Sequence, residues 1–170
     1  MSTAASRALS IARPVIRALG IVNLGYAAVI TLLLVYSFLV PGWPENPLGE
    51  MMIERYPHAA NGLRAIVVIG ILCAGIVHFV LRRLVAIVDT VRAGDPFTFE
   101  NARRLEFIAW SVMSIELMRL VVVAIVAAVF IPGKIAGLAL APWLAVLLLF
   151  VLAGVFAQGA RMRAELEGTV

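Results

Sequence analysis

The residues predict an all-α integral membrane protein: four transmembrane helices in an antiparallel bundle, with the N and C termini cytoplasmic. Composition is the first reason, since 63% of the 170 residues are hydrophobic, 14% are charged and mean hydropathy is +1.04, against roughly a quarter charged in soluble domains. Four apolar runs, each close to the roughly 20 residues that span a hydrocarbon core, are the second. The third is that Lys and Arg collect on one side of those runs.

The first run, residues 19–40, follows Arg7, Arg13 and Arg17 and so resembles a signal peptide. It is longer than an h-region of about 7 to 15 residues, and Pro41-Gly42-Trp43-Pro44 offers no small-residue cleavage site, so it reads as a retained span. The second span covers 63–81. Its apolar pattern at Leu84, Val85, Ile87, Val88 and Val91 carries a helix on toward Arg92. The third and fourth spans, 105–131 and 137–156, are joined by a tight turn at Pro132-Gly133-Lys134 and therefore pair as an antiparallel hairpin. Helices follow in every case because hydrocarbon offers backbone amides no other partner. Residues 41–62 form a proline-bearing outer loop, irregular or with one short helix near 50–56, and 82–104 form the inner loop. The whole of 1–170 reads as one transmembrane domain.

Orientation follows from the basic residues. Arg7, Arg13 and Arg17 precede the first span; Arg82, Arg83, Arg92, Arg103 and Arg104 lie between the second and third; Arg161 and Arg163 follow the fourth. The other side holds Arg55, Arg64 and Lys134, which places the richer side in the cytoplasm. Tyr36, Trp43 and Trp143 then fall at the outer interface and Trp110 near the inner one. Gly70-x-x-x-Ala74 and Ala124-x-x-x-Ala128 supply the small residues that let membrane helices approach, most simply within the chain.

Candidate chemistry is sparse. Glu116 and Arg119 lie near the middle of the third span, three residues apart on one helical face. Ionisable groups at that depth cost at least about 2.5 to 3.5 kcal/mol on insertion scales, so the pair is either an intramembrane site or a structural ion pair. Asn23 and His78 lie at similar depths on the first two spans and could bond across helices. No metal site is expected: His58 falls in the outer loop, far from His78, and Cys73 is the single cysteine. No hydrolase, phosphate-loop or dinucleotide motif occurs, Gly133-Lys134 lacking the rest of a Walker sequence. Neither a catalytic residue nor a cofactor is therefore expected. The basic residues flank apolar runs instead of forming one face, so the partner they imply is the lipid bilayer, with no direct nucleic-acid binding.

Polar detail concentrates in the inner loop and the tail. In Gly94-Asp95-Pro96-Phe97-Thr98-Phe99-Glu100-Asn101, Gly94 ends one helix, Asp95-Pro96 bars its continuation, Thr98 is a credible N-cap and Glu100 sits in the first turn facing the positive helix end. Phe97 and Phe99 need something to bury against, under the bundle or on a partner. The tail carries Phe156, Gly159, Glu165, Glu167, Gly168, Thr169 and Val170.

Together these segments resemble the bacterial membrane family called domain of unknown function 2975. That family has a Gly-Asp-Pro-Phe-Thr-x-Glu-Asn-x-x-Arg-Leu loop, matched at Gly94, Asp95, Pro96, Phe97, Thr98, Glu100, Asn101, Arg104 and Leu105. Its Val-Phe-x-x-Gly…Glu-Gly-Thr-Val tail is matched from Val155 and Phe156 to Val170, with Met162 in place of the usual leucine. The Glu116/Arg119 pair is not part of either motif. The resemblance implies a multi-pass protein of the bacterial inner membrane with no established activity. It further implies a signalling or sequestering role, since members are similar to proteins often encoded beside small helix-turn-helix regulators. Two functions are thus expected in order: a regulatory or sensory membrane protein whose loop and tail bind such a regulator, or a small-ligand or ion transporter using Glu116, Arg119, Asn23 and His78 around one cavity.

Overall fold

The computed structural model describes residues 3–40, 43, 54–130 and 139–167. Most of the 41–62 loop, the turn at Pro132-Gly133-Lys134, and Gly168, Thr169 and Val170 lie outside the described residues. Among the described residues there are four helices: α1 (Thr3–Leu39), α2 (Ala59–Arg92), α3 (Phe99–Val129) and α4 (Leu140–Glu167). All four are long and apolar enough to cross a membrane, and no strand occurs among the described residues.

The helices reach beyond the apolar runs. α1 begins at Thr3, well before residue 19, because the arginines that interrupt its hydropathy are good helix formers. Pro14 removes one intrahelical donor, and the helix runs through it. α2 continues through Arg82 and Arg83 to Arg92, and α4 leaves the apolar segment to reach Glu167.

Each helix packs on its neighbour in sequence, α1 on α2, α2 on α3 and α3 on α4. Cross-pairs run in opposite order along each seam. Between α1 and α2 they are Arg13 with Asp89, Asn23 with Ala74, and Ser37 with Arg64. Between α2 and α3, Cys73 Sγ lies 3.6 Å from Met118 Sδ, Arg83 sits 4.7 Å over the Phe107 ring, and Thr90 bonds Asn101. Trp110 and Phe150 meet edge to face at 5.3 Å between α3 and α4. One end of the molecule therefore gathers the start of α1, the α2–α3 turn and the end of α4; it also carries most of the arginines and is called the basic end below.

The buried apolar residues are mostly small: Ala59, Ala74, Ala102, Ala109, Ala153 and Ala160, with Leu105, Ile108 and Val146. Lipid tails supply little drive for association, so close backbone approach and van der Waals contact must supply it. On α4, Val146, Ala153 and Ala160 are seven residues apart and keep to one face. A Cβ on Gly70 would touch Ile30 and Tyr26 of α1 at 3.5 and 3.6 Å, so Gly70 and Ala74 pack within the chain. Ala124 and Ala128, in contrast, are exposed. So are Leu32, Leu33 and Phe38 of α1 and Leu144, Leu147, Leu148 and Val151 of α4, as suits surfaces that face lipid.

Candidate functional site at the basic end

The joint between α2 and α3 starts from a glycine. Gly94 has φ of +89°, which only glycine adopts without strain, and it closes α2 with paired bonds from Gly94 N to Val91 O and from Asp95 N to Thr90 O, both 3.1 Å. Pro96 prevents the helix resuming. Thr98 then starts α3, its Oγ1 accepting from Asn101 N at 3.1 Å, as the sequence predicts.

Asn101 is the hub of this joint and is fully buried, at 0% exposure. Its Nδ2 donates to Thr90 Oγ1 at 2.7 Å and to the Pro96 carbonyl at 3.0 Å. Its Oδ1 accepts from Arg104 Nη1 at 2.8 Å, and Arg104 also pairs with Glu100. One amide side chain thus binds the end of α2, the turn and the first two turns of α3. A buried amide is stable only with its donors and acceptors satisfied, and here they are.

The tail completes the joint. The Phe97 ring lies 5.2 Å from that of Phe156. It also covers Gly159 so closely that a Cβ there would fall 2.8 Å from Phe97 Cδ1, a distance real Cβ atoms do not show. Asp95 forms an ion pair with Arg163 one turn further on. Phe97 is therefore the plug that binds the loop to α4, and it stays 43% exposed. Glu165 is exposed on the last turns of α4, Glu167 ends that helix, and Thr169 and Val170 lie beyond the described residues.

Phe99 is not absorbed in this way. It is 53% exposed and lines two grooves. One, of about 340 Å³, runs between Arg103 and Glu106 of α3 and Phe150, Gly154 and Ala157 of α4. The other, of about 230 Å³, lies between the turn at Asp95 and Ala160, Arg163 and Ala164.

The intramembrane candidates fall on two seams. Asn23 Nδ2 donates to the Ala74 carbonyl at 2.9 Å, tying α1 to α2. His78 lines a groove on the same seam that includes neither Asn23 nor Glu116 nor Arg119. On α3, Glu116 is buried and held by Arg119, whose Nε is 2.9 Å from both carboxylate oxygens and whose Nη2 is 2.5 Å from Oε1. Among the described residues Glu116 bonds only Arg119. The structure sets Phe156, Gly159 and Arg163 of α4 against the loop, and it does not bring the four intramembrane residues around one groove. No cluster of three or more metal-ligating side chains occurs among the described residues.

Several residues that hold these parts carry little signal in the sequence. Thr90 and Arg163 join the motif segments although neither stands out alone. Arg13 Nη2 donates to Asp89 Oδ2 at 3.2 Å across α1 and α2; an aspartate in an otherwise apolar stretch is the one hint. Arg64 donates through Nη2 to the Ser37 carbonyl at 2.5 Å and stacks on Phe38 and Trp43, with Cζ 4.3 and 5.0 Å from the ring centres. It supplies a cation and donors to the C-terminus of α1, where both are favourable.

These features define a multi-pass membrane protein of four helices, with a loop and a tail fastened together at one end. The chain belongs to the family described as Protein of unknown function (DUF2975), whose pattern matches residues 47–170, a range that includes α2, the joint, α3 and α4. No curated protein matches the chain, and no solved structure does.

Proposed function

We propose that this is a regulatory protein of the bacterial inner membrane whose basic end faces the cytoplasm and binds a small helix-turn-helix transcription regulator through the joined loop and tail. The observation that carries this reading is Phe99, a half-exposed aromatic between two grooves, on a joint otherwise internally satisfied. Aromatic side chains that end up buried between partners are the usual sources of binding energy. The excess of arginine at this end supports the orientation, and the class of partner is the one the family resemblance implies. The intramembrane residues support the transport reading less, because they converge on no common groove.

The test is co-purification of the tagged full chain with the regulator encoded beside its gene. Wild type retains the regulator, and Phe99→Ala weakens binding about 30-fold, the loss expected of a 2 kcal/mol interface anchor. Equal retention by wild type and Phe99→Ala contradicts the reading.

A further inference from the structure

A groove of about 350 Å³ opens along one flank of the α1–α2 seam at the basic end. Its walls are Ile16, Gly20, Ile21 and Leu24 of α1 and His78, Leu81 and Val85 of α2, and its mouth carries Arg17 and Arg82. The lining is almost wholly apolar below two guanidinium groups. From Arg17 to Leu24 the groove follows two turns of α1, about 10 Å along the helix axis. Gly20 makes the trough, since a Cβ placed there would meet nothing within 4 Å. Among the described residues neither Arg17 nor Arg82 has a carboxylate partner, whereas Arg13, Arg104, Arg119 and Arg163 each do.

We propose that this groove binds one anionic phospholipid of the adjacent leaflet, its phosphate between Arg17 and Arg82 and one acyl chain along Gly20, Ile21, Leu24 and Leu81. Charge complementarity selects the occupant. Two cations at the headgroup level with an apolar trough running inward match an amphiphile with a negative head, and basic pockets between transmembrane helices take such heads. Arginine suits the role because its planar fork pairs with two phosphate oxygens at once. His78 lies at the inner part of the trough and shapes its wall. The site is separate from the Phe99 grooves and does not depend on which side of the membrane the basic end faces.

The test uses the delipidated full chain in detergent micelles, with bound lipid counted by native mass spectrometry. Dioleoylphosphatidylglycerol binds at one tight site per chain, dioleoylphosphatidylcholine binds far more weakly, and inorganic phosphate does not compete at equal concentration. Arg17→Ala/Arg82→Ala weakens phosphatidylglycerol about 25-fold, near a factor of five per charge. Gly20→Leu, which fills the trough and leaves both arginines in place, weakens it at least about tenfold, since it displaces several buried methylenes. Arg103→Ala, a change at the same end but outside the groove, leaves the tight site intact. Unchanged phosphatidylglycerol affinity in the double variant or in Gly20→Leu overturns the proposal. So does an equal loss in Arg103→Ala, which would mean diffuse surface charge.

Discussion

Replacing Asn101 by alanine removes both donors and the acceptor from the centre of the α2–α3 joint. Two partners keep other bonds: the Thr90 hydroxyl still donates to the Ile87 carbonyl at 2.8 Å, and Arg104 still pairs with Glu100. The losses are the bond from the charged Arg104 and, among the described residues, the only side-chain donor to the Pro96 carbonyl. An orphaned carbonyl costs about 1–3 kcal/mol and a bond to a charged group contributes about 1.5–3 kcal/mol, so with relaxation of the turn the sum is about 2–4 kcal/mol. Asn101→Asp separates the two effects, because it keeps an acceptor for Arg104 but sets an oxygen against the Pro96 carbonyl. Reversible unfolding in mixed micelles with rising dodecyl sulfate reads the stability, and amide hydrogen exchange over 93–102 reads the turn. Both variants should lose protection in the turn, and the alanine variant should lose more stability. A change in Asn101→Ala below about 0.5 kcal/mol, the usual range of a neutral surface substitution, with unchanged exchange, would refute the hub assignment.

Two further outcomes follow from the geometry. Glu116→Ala leaves Arg119 without its carboxylate in the apolar slab and should destabilise by about 2.5 kcal/mol or more, while Glu116→Ala/Arg119→Ala should cost less than that single change; a double variant worse than the single one, in the same micelle assay, contradicts a mutually neutralising pair. Arg64→Ala should cost about 1–2 kcal/mol by uncapping α1 and freeing two aromatic rings. Its emission should change through Trp43, and Arg64→Lys should recover little because the planar fork is lost; an unaltered spectrum in both would count against the stack.

How much of this was legible depended on how local the signal was. The four membrane-crossing helices follow from apolar length alone, and the α2–α3 joint follows from Gly94, Pro96 and Thr98, whose backbone preferences act within a few residues. Like Phe99, Phe97 reads in the sequence as an aromatic in need of cover. Its cover, Gly159, became visible only once α4 was laid on α3, because that register depends on a whole helix pair. The same holds for Asp95 with Arg163, 68 residues apart. The extension of α1 beyond its span to Thr3 carries no hydropathy signal, because hydropathy marks where lipid contact begins, whereas helix formation tolerates Arg7, Arg13 and Arg17. Asn23 and His78 lie on one seam, and of the two only Asn23 bonds across it among the described residues. Glu116 and Arg119 were legible as a pair from their spacing; that the carboxylate would be the buried member, with Arg119 38% exposed at its side chain, depends on helix rotation and was not.

The loop and the end of α4 form one fastened unit through Phe97 on Gly159. Spin labels at Ala93→Cys and Ala164→Cys, in a Cys73→Ala background, report it directly by their separation in lipid nanodiscs. A single narrow, short distance distribution is expected, broadening to longer distances when Gly159→Leu drives Phe97 out. A broad distribution in the parent protein, or the same narrow one with Gly159→Leu, would contradict it.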